Sequence, residues 1–97
     1  MHKSTIFATD VEIMEGVGGQ LRRLREAQRL TVDQVARRTE LNPSTVLRAE
    51  HGKNPTLLTL TRLLRCYGAL DGLTRIVPEP TLSPVAAADT LRREARG

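Results

Sequence analysis

Asn42, Ser44, Thr45 and Arg48 set small hydrogen-bonding side chains just ahead of a cation one helical turn further on. An amide, two hydroxyls and a guanidinium at this spacing suit the donor and acceptor edges of base pairs. Arg48 is the strongest single reader, because a guanidinium grips the two major-groove acceptors of guanine with ~1 to 3 kcal/mol of discrimination. Pro43 and Leu47 share the outward face; Leu47 either touches a thymine methyl or packs on the preceding turn. A second group consists of Lys53, Asn54 and Thr56, with Thr31 and Val32. These occupy loop and helix-start positions, where unpaired amides favour anions. His51 either joins them or is simply solvated. Cys66 has no histidine in a partnering context and reads as a buried or half-buried structural thiol. No glycine-rich phosphate loop, metal-ligand spacing or nucleophile and base arrangement is present, so neither an enzyme, a metal site nor a cofactor is expected.

The elements that must position these residues follow from capping and periodicity. Thr31 and Gln34 form a T-x-x-Q capping box that starts a short helix whose inward face is Val35 and Ala36. Ala36 lies where two steeply crossing helices approach closely. Thr39, Glu40, Leu41 and Asn42 carry a turn. Asn42 as cap and Pro43 at the first helical position begin a second helix to about Glu50, with Val46 and Ala49 inward. Gly52 caps that helix and Pro55 stops any continuation. Leu60, Leu63, Leu64 and Tyr67 mark a further helix from Leu57 to about Tyr67, ended by Gly68. Asp71 is expected to cap a last segment, Gly72 to Val77.

Upstream, Val17, Leu21 and Leu24 predict a core-facing helix from Val17 or Gly19 to Gln28. Thr9 or Asp10 caps a short extra helix through Val11, Ile13 and Met14, which Gly16, Gly18 and Gly19 weaken at ~1 kcal/mol each. Met1 to Ala8 reads as an arm, with Phe7 as an apolar anchor or the arm reaching along DNA. Pro78, Glu79, Pro80, Ser83 and Pro84 mark an exit from the folded part. Val85, Ala88 and Leu91 give the tail a nascent amphipathic pattern, either frayed or folding on a partner protein. The domain reading is therefore 1–16 arm or short extra helix, 17–77 folded domain, and 78–97 Pro-containing linker and tail.

Ninety-seven residues and a formal charge of +4 bound the chain to one small domain plus tails. Residues 20–65 hold ten cations against four carboxylates, whereas residues 1–19 hold Lys3 against Asp10, Glu12 and Glu15. The positive excess coincides with the two-helix stretch. It would recruit a polyanion and make affinity fall with salt, or it reflects arginine-rich solubility alone. A single cysteine excludes an internal disulfide framework and a multi-thiolate metal site. No run of ~20 apolar residues could span a bilayer, and no cleavage-site pattern opens the chain, so no membrane partner and a cytoplasmic location are expected.

With these residues in hand, the stretch from Leu21 to about Val77 resembles the Cro and phage-repressor type of helix-turn-helix, the xenobiotic-response-element family. The resemblance is carried by LRRLREAQRLT, VDQVARRTELNPSTVLRAE, HGKNPT and LLTLTRLLRCYGAL in order. It implies an all-α, five-helix lambda-repressor-like domain that binds double-stranded DNA and regulates transcription, with a repressor as the leading expectation. It also implies that Arg25 pairs with Glu50, and that Lys53, Asn54 and Thr56, with Thr31 and Val32 at the start of the first motif helix, contact the phosphate backbone without reading sequence. Two positions depart from the pattern. Glu40 stands where the turn usually carries glycine, and Val32 where a phosphate-binding glutamine is frequent. Leu73, Ile76 and Val77 exceed what so small a domain obviously needs, which predicts a homodimer. Leu70-Asp71 and the following prolines loosely resemble HipB-like antitoxins, implying as alternative a kinase-like toxin or other partner protein bound through the tail.

Overall fold

The computed structural model describes residues 8–81 and Arg92, and among these the fold is all-helical. Five helices follow one another: α1 Asp10–Ala27, α2 Val32–Thr39, α3 Pro43–Glu50, α4 Leu57–Cys66 and α5 Leu70–Leu73. The Phe7 arm and the Val85 to Leu91 pattern lie outside the described residues.

Helix α1 starts earlier than its hydrophobic spacing predicts. Thr9 is the cap: its Oγ1 accepts from Glu12 N at 3.1 Å, while Thr9 N donates to Glu12 Oε1 at 3.4 Å. The helix then runs unbroken through Gly16, Gly18 and Gly19, so the expected separation at the glycines does not occur. Tertiary packing overrides their poor propensity. A Cβ on Gly18 would lie 2.8 Å from the Ala49 carbonyl oxygen and nearer still to that of Glu50. One on Gly52 would lie 2.7 Å from the Met14 carbonyl. Two glycines from distant elements thus let α1 cross the end of α3 backbone to backbone. The face α1 turns to that crossing carries Met14, Gly18, Leu21 and Arg25. Val17, expected inward, is 37% exposed, because Gly18 rather than its neighbour occupies the contact.

The core is Leu21, Leu30, Val35, Ala36, Val46, Ala49, Leu63 and Tyr67, with Leu24, Leu41, Leu60 and Leu64 packed against it. Each of α1 to α4 contributes to it, so α2 and α3 are held on both sides by longer helices. Thr31 and Gln34 close the expected capping box, with Gln34 N donating to Thr31 Oγ1 at 3.1 Å and Thr31 N to Gln34 Oε1 at 2.8 Å. Thr56 caps α4 in the same way, accepting from Thr59 N at 3.0 Å.

The last element differs from expectation. α5 is a single turn, Leu70–Leu73, preceded by Ala69, and Asp71 lies inside it rather than capping it. Residues 74–77 continue as turn and bend, leaving Ile76 57% and Val77 79% exposed. A four-residue helix containing Gly72 has few hydrogen bonds to offset its nucleation, so the apolar spacing of Leu73, Ile76 and Val77 does not extend it.

Candidate nucleic-acid interface

The turn between α2 and α3 is set by its backbone. Glu40 adopts the left-handed conformation, with φ 58° and ψ 32°, so the glycine position of the family pattern keeps its geometry here with a side chain attached. A left-handed non-glycine residue costs roughly 1 kcal/mol. The compensation is local: Leu41 N donates to Ala36 O at 3.0 Å, and the buried Thr39 hydroxyl donates to Val35 O at 2.7 Å. Asn42 is extended and occupies the cap position of α3, but its side chain makes no capping bond and stays exposed. Pro43 takes the first helical position, as the sequence predicts.

Three anchors orient α3. Val46 and Ala49 are buried beneath it. Gly18 receives its last carbonyls. Glu50 is held by Arg25, whose Nε donates to Oε2 at 2.7 Å and whose Nη2 donates to Oε1 at 3.0 Å. The third nitrogen, Nη1, donates to Leu30 O at 2.9 Å, so one guanidinium ties α1, α3 and the α1–α2 connection together. The hydrogen bond to Glu50 raises the Arg25 pKa above its ordinary value, with burial opposing it. Next to this pair Tyr67 is buried with a hydroxyl that has no hydrogen-bond partner among the described residues. Burial first, and the Glu50 charge second, push its pKa up to about 12.

With its inner face fixed, α3 presents Pro43, Ser44, Leu47 and Arg48 to solvent, with Thr45 half-buried at the edge. Leu47 is 42% exposed rather than covered by the turn. The Arg48 guanidinium makes no ion pair or hydrogen bond among the described residues. Beyond α3, His51 ends the helix and Gly52, at φ 70°, follows it in the left-handed region, the helix-ending role the sequence predicts for it. Lys53 N then donates to Arg48 O at 2.9 Å, folding the loop back beside the recognition face.

The consequence is a shallow depression lined by Thr45, Arg48, Lys53, Asn54 and Thr56. Two residues expected to read bases and three expected to hold phosphates therefore converge, although eleven positions separate Thr45 from Thr56 in sequence. Thr56 uses its side chain on Thr59, which leaves the amides of Leu57 and Leu58 at the start of α4 without an intrahelical partner. Thr31 and Val32 do not line this depression; they stand at the start of α2, where the Val32 amide is available even though its side chain is apolar. Asp33 in the same turn places a carboxylate beside that amide.

The positive charge is more dispersed than its sequence position predicts. Arg22 pairs with Glu26 at 2.6 Å, Arg23 binds Gln20, and Arg25 is committed to Glu50. Of the ten cations in residues 20–65, only Arg48 and Lys53 line the depression. The opposite side of Lys53 and Asn54 is acidic and apolar: Asp10 and Glu15, with Val11, Ile13 and Met14, share a groove with them. That groove is absent from the sequence reading, since it depends on α1 extending back to Asp10.

A short helix pair with a left-handed turn and an exposed second helix agrees with the sequence comparison. The family model of the helix-turn-helix domain matches residues 17–75, more than half of the chain. The chain belongs to the helix-turn-helix domain family. No curated protein and no solved structure gives a match. Helix-turn-helix domains bind DNA by laying the second helix of the pair in the major groove. In this helix-turn-helix protein the second helix of the pair is α3. The family match begins at Val17, so the first two turns of α1, Asp10 to Gly16, precede the matched domain. No helix of the described residues is long and apolar enough to cross a membrane.

Proposed function

We propose that the protein binds a specific double-stranded DNA sequence and represses transcription from it. The single observation that carries this reading is the convergence of Thr45 and Arg48 with Lys53, Asn54 and Thr56 in one depression at the exposed side of α3. Arg48, Asn42, Ser44 and Thr45 read base edges, Pro43 and Leu47 supply apolar contact, and the 53–56 loop with the start of α2 at Thr31 and Val32 holds the backbone.

Two copies provide the affinity that one small face lacks. Ile76, Val77, Leu57 and Leu58 are exposed apolar side chains. Covering such side chains across a two-fold axis sets two recognition helices ~34 Å apart on successive major-groove faces. The second reading is an antitoxin or other interaction module that binds a partner protein through its tail, residues 78–97; it is compatible with repression of its own operon. A titration of purified protein on duplex DNA from upstream of its own gene, with excess competitor and at two salt concentrations, tests the reading. Retained binding with a footprint of two half-sites supports a dimeric repressor. Loss of all binding to competitor removes sequence specificity from the account.

A further inference from the structure

Among the described residues, a group of three unpaired cations lies away from α3. Arg38 at the end of α2, and Arg62 and Arg65 on α4, converge on a concavity of about 400 Å³ whose remaining lining is Thr39, Glu40 and Cys66. None of the three guanidiniums makes an ion pair or hydrogen bond among the described residues, unlike Arg22, Arg23 and Arg25. Arg62 is half-buried, whereas Arg38 and Arg65 are exposed. The helix ends explain part of the arrangement, because cations near the last turns of α2 and α4 offset their C-terminal dipoles. They do not explain Arg62, which lies mid-helix, nor why all three face one hollow. One carboxylate, Glu40, shares the lining and leaves a net excess of two positive charges there. The size falls within the range of small-ligand sites.

The hollow shares no residue with the depression that holds Arg48 and Lys53. Two of its lining residues, Thr39 and Glu40, belong to the junction that sets the angle between α2 and α3. We propose that Arg38, Arg62 and Arg65 form a second anion site that takes a phosphate-bearing ligand. Guanidiniums match phosphate oxygens in planar, two-pronged hydrogen bonds, and three of them suit a group carrying more than one phosphate charge. The proposal stands on this geometry and not on the DNA-binding reading. A free phosphorylated small molecule and a backbone phosphate of bound duplex present the same chemistry, and they separate experimentally.

The probe for the first source is inorganic pyrophosphate, titrated calorimetrically into the full chain at low salt. Saturable one-site binding is expected, weakened at least tenfold in Arg62→Ala/Arg65→Ala and unchanged in Arg22→Ala/Arg23→Ala, which removes equal charge elsewhere. Circular dichroism melts establish that each variant is folded; Arg62→Gln/Arg65→Gln, which keeps side-chain bulk, replaces any that is not. The probe for the second source is duplex DNA. A salt dependence of binding that becomes shallower in the Arg62/Arg65 variant as it does in Lys53→Ala assigns the hollow to the DNA backbone. Pyrophosphate binding that is absent or insensitive to the variant, together with an unchanged salt slope, overturns the proposal.

Discussion

Arg25 and Glu50 stand twenty-five residues apart in sequence and meet through two hydrogen bonds, at 2.7 and 3.0 Å, that fix the C-terminal end of the recognition helix. The Glu50 side chain is 3% exposed, so its charge depends on that partner. Removing one member of a buried pair typically costs ~3 to 5 kcal/mol, because the other is left uncompensated. Arg25→Ala is therefore expected to lower unfolding free energy by an amount in that range. Arg25→Met/Glu50→Leu should be distinctly less damaging than the sum of the single changes, as denaturant titration of the four proteins in a double-mutant cycle would show.

Gly18 and Gly16 lie in the same helix and predict opposite signs. Nothing lies within 4 Å of a Cβ on Gly16, so Gly16→Ala should stabilise by ~0.5 to 1 kcal/mol through helix propensity alone. The same change at Gly18 meets the Ala49 and Glu50 carbonyls. Overpacking of this kind costs ~1 to 3 kcal/mol, outweighing the propensity gain. Thermal melts of the two variants should move in opposite directions.

Tyr67 carries a buried hydroxyl without a partner among the described residues, and a group in that state costs ~1 to 3 kcal/mol. Tyr67→Phe should be at least as stable as the natural protein near neutral pH. A second consequence concerns alkaline pH. Folding raises the Tyr67 pKa from 10.0 to about 12, so the folded state holds the proton more tightly than the unfolded chain. That contribution is fully present below pH 10 and is lost as pH rises from there through 12. The decline in stability across this window should be smaller in Tyr67→Phe.

These relationships separate what local sequence reveals from what it hides. The T-x-x-Q box at Thr31, Pro43 at the head of α3, and the inward Val46, Ala49 and Leu63 are legible because each depends on neighbours within a turn or two. The left-handed Glu40 is legible only through the resemblance that marks a glycine position, and so is the Arg25–Glu50 pair. Gly18 was not legible. Its helix-weakening chemistry is local, whereas the Glu50 carbonyl that requires it is thirty-two residues away. The same long-range contact explains why Val17 is exposed. The hollow of Arg38, Arg62 and Arg65 also escaped the charge count, since counting by segment cannot say which face a helix turns outward.

The acidic start of α1 bears on affinity. Asp10 and Glu15 share a groove with Lys53 and Asn54, and their negative charge opposes that of Lys53 most strongly at low salt. Asp10→Asn/Glu15→Gln should tighten DNA binding several-fold at low salt, without changing which sequence is preferred. Lys53→Ala should weaken binding uniformly and reduce the salt slope by about one counterion. Fluorescence anisotropy over a salt series measures both.

The most direct test compares the natural protein with Arg48→Ala on duplex DNA from upstream of the gene and on variants substituted at each guanine of the protected site. The account predicts that Arg48→Ala stays folded, loses ~1 to 3 kcal/mol of discrimination at one guanine, and retains its salt dependence. Unchanged preference at every position, with unchanged affinity, would contradict α3 as the element that reads sequence.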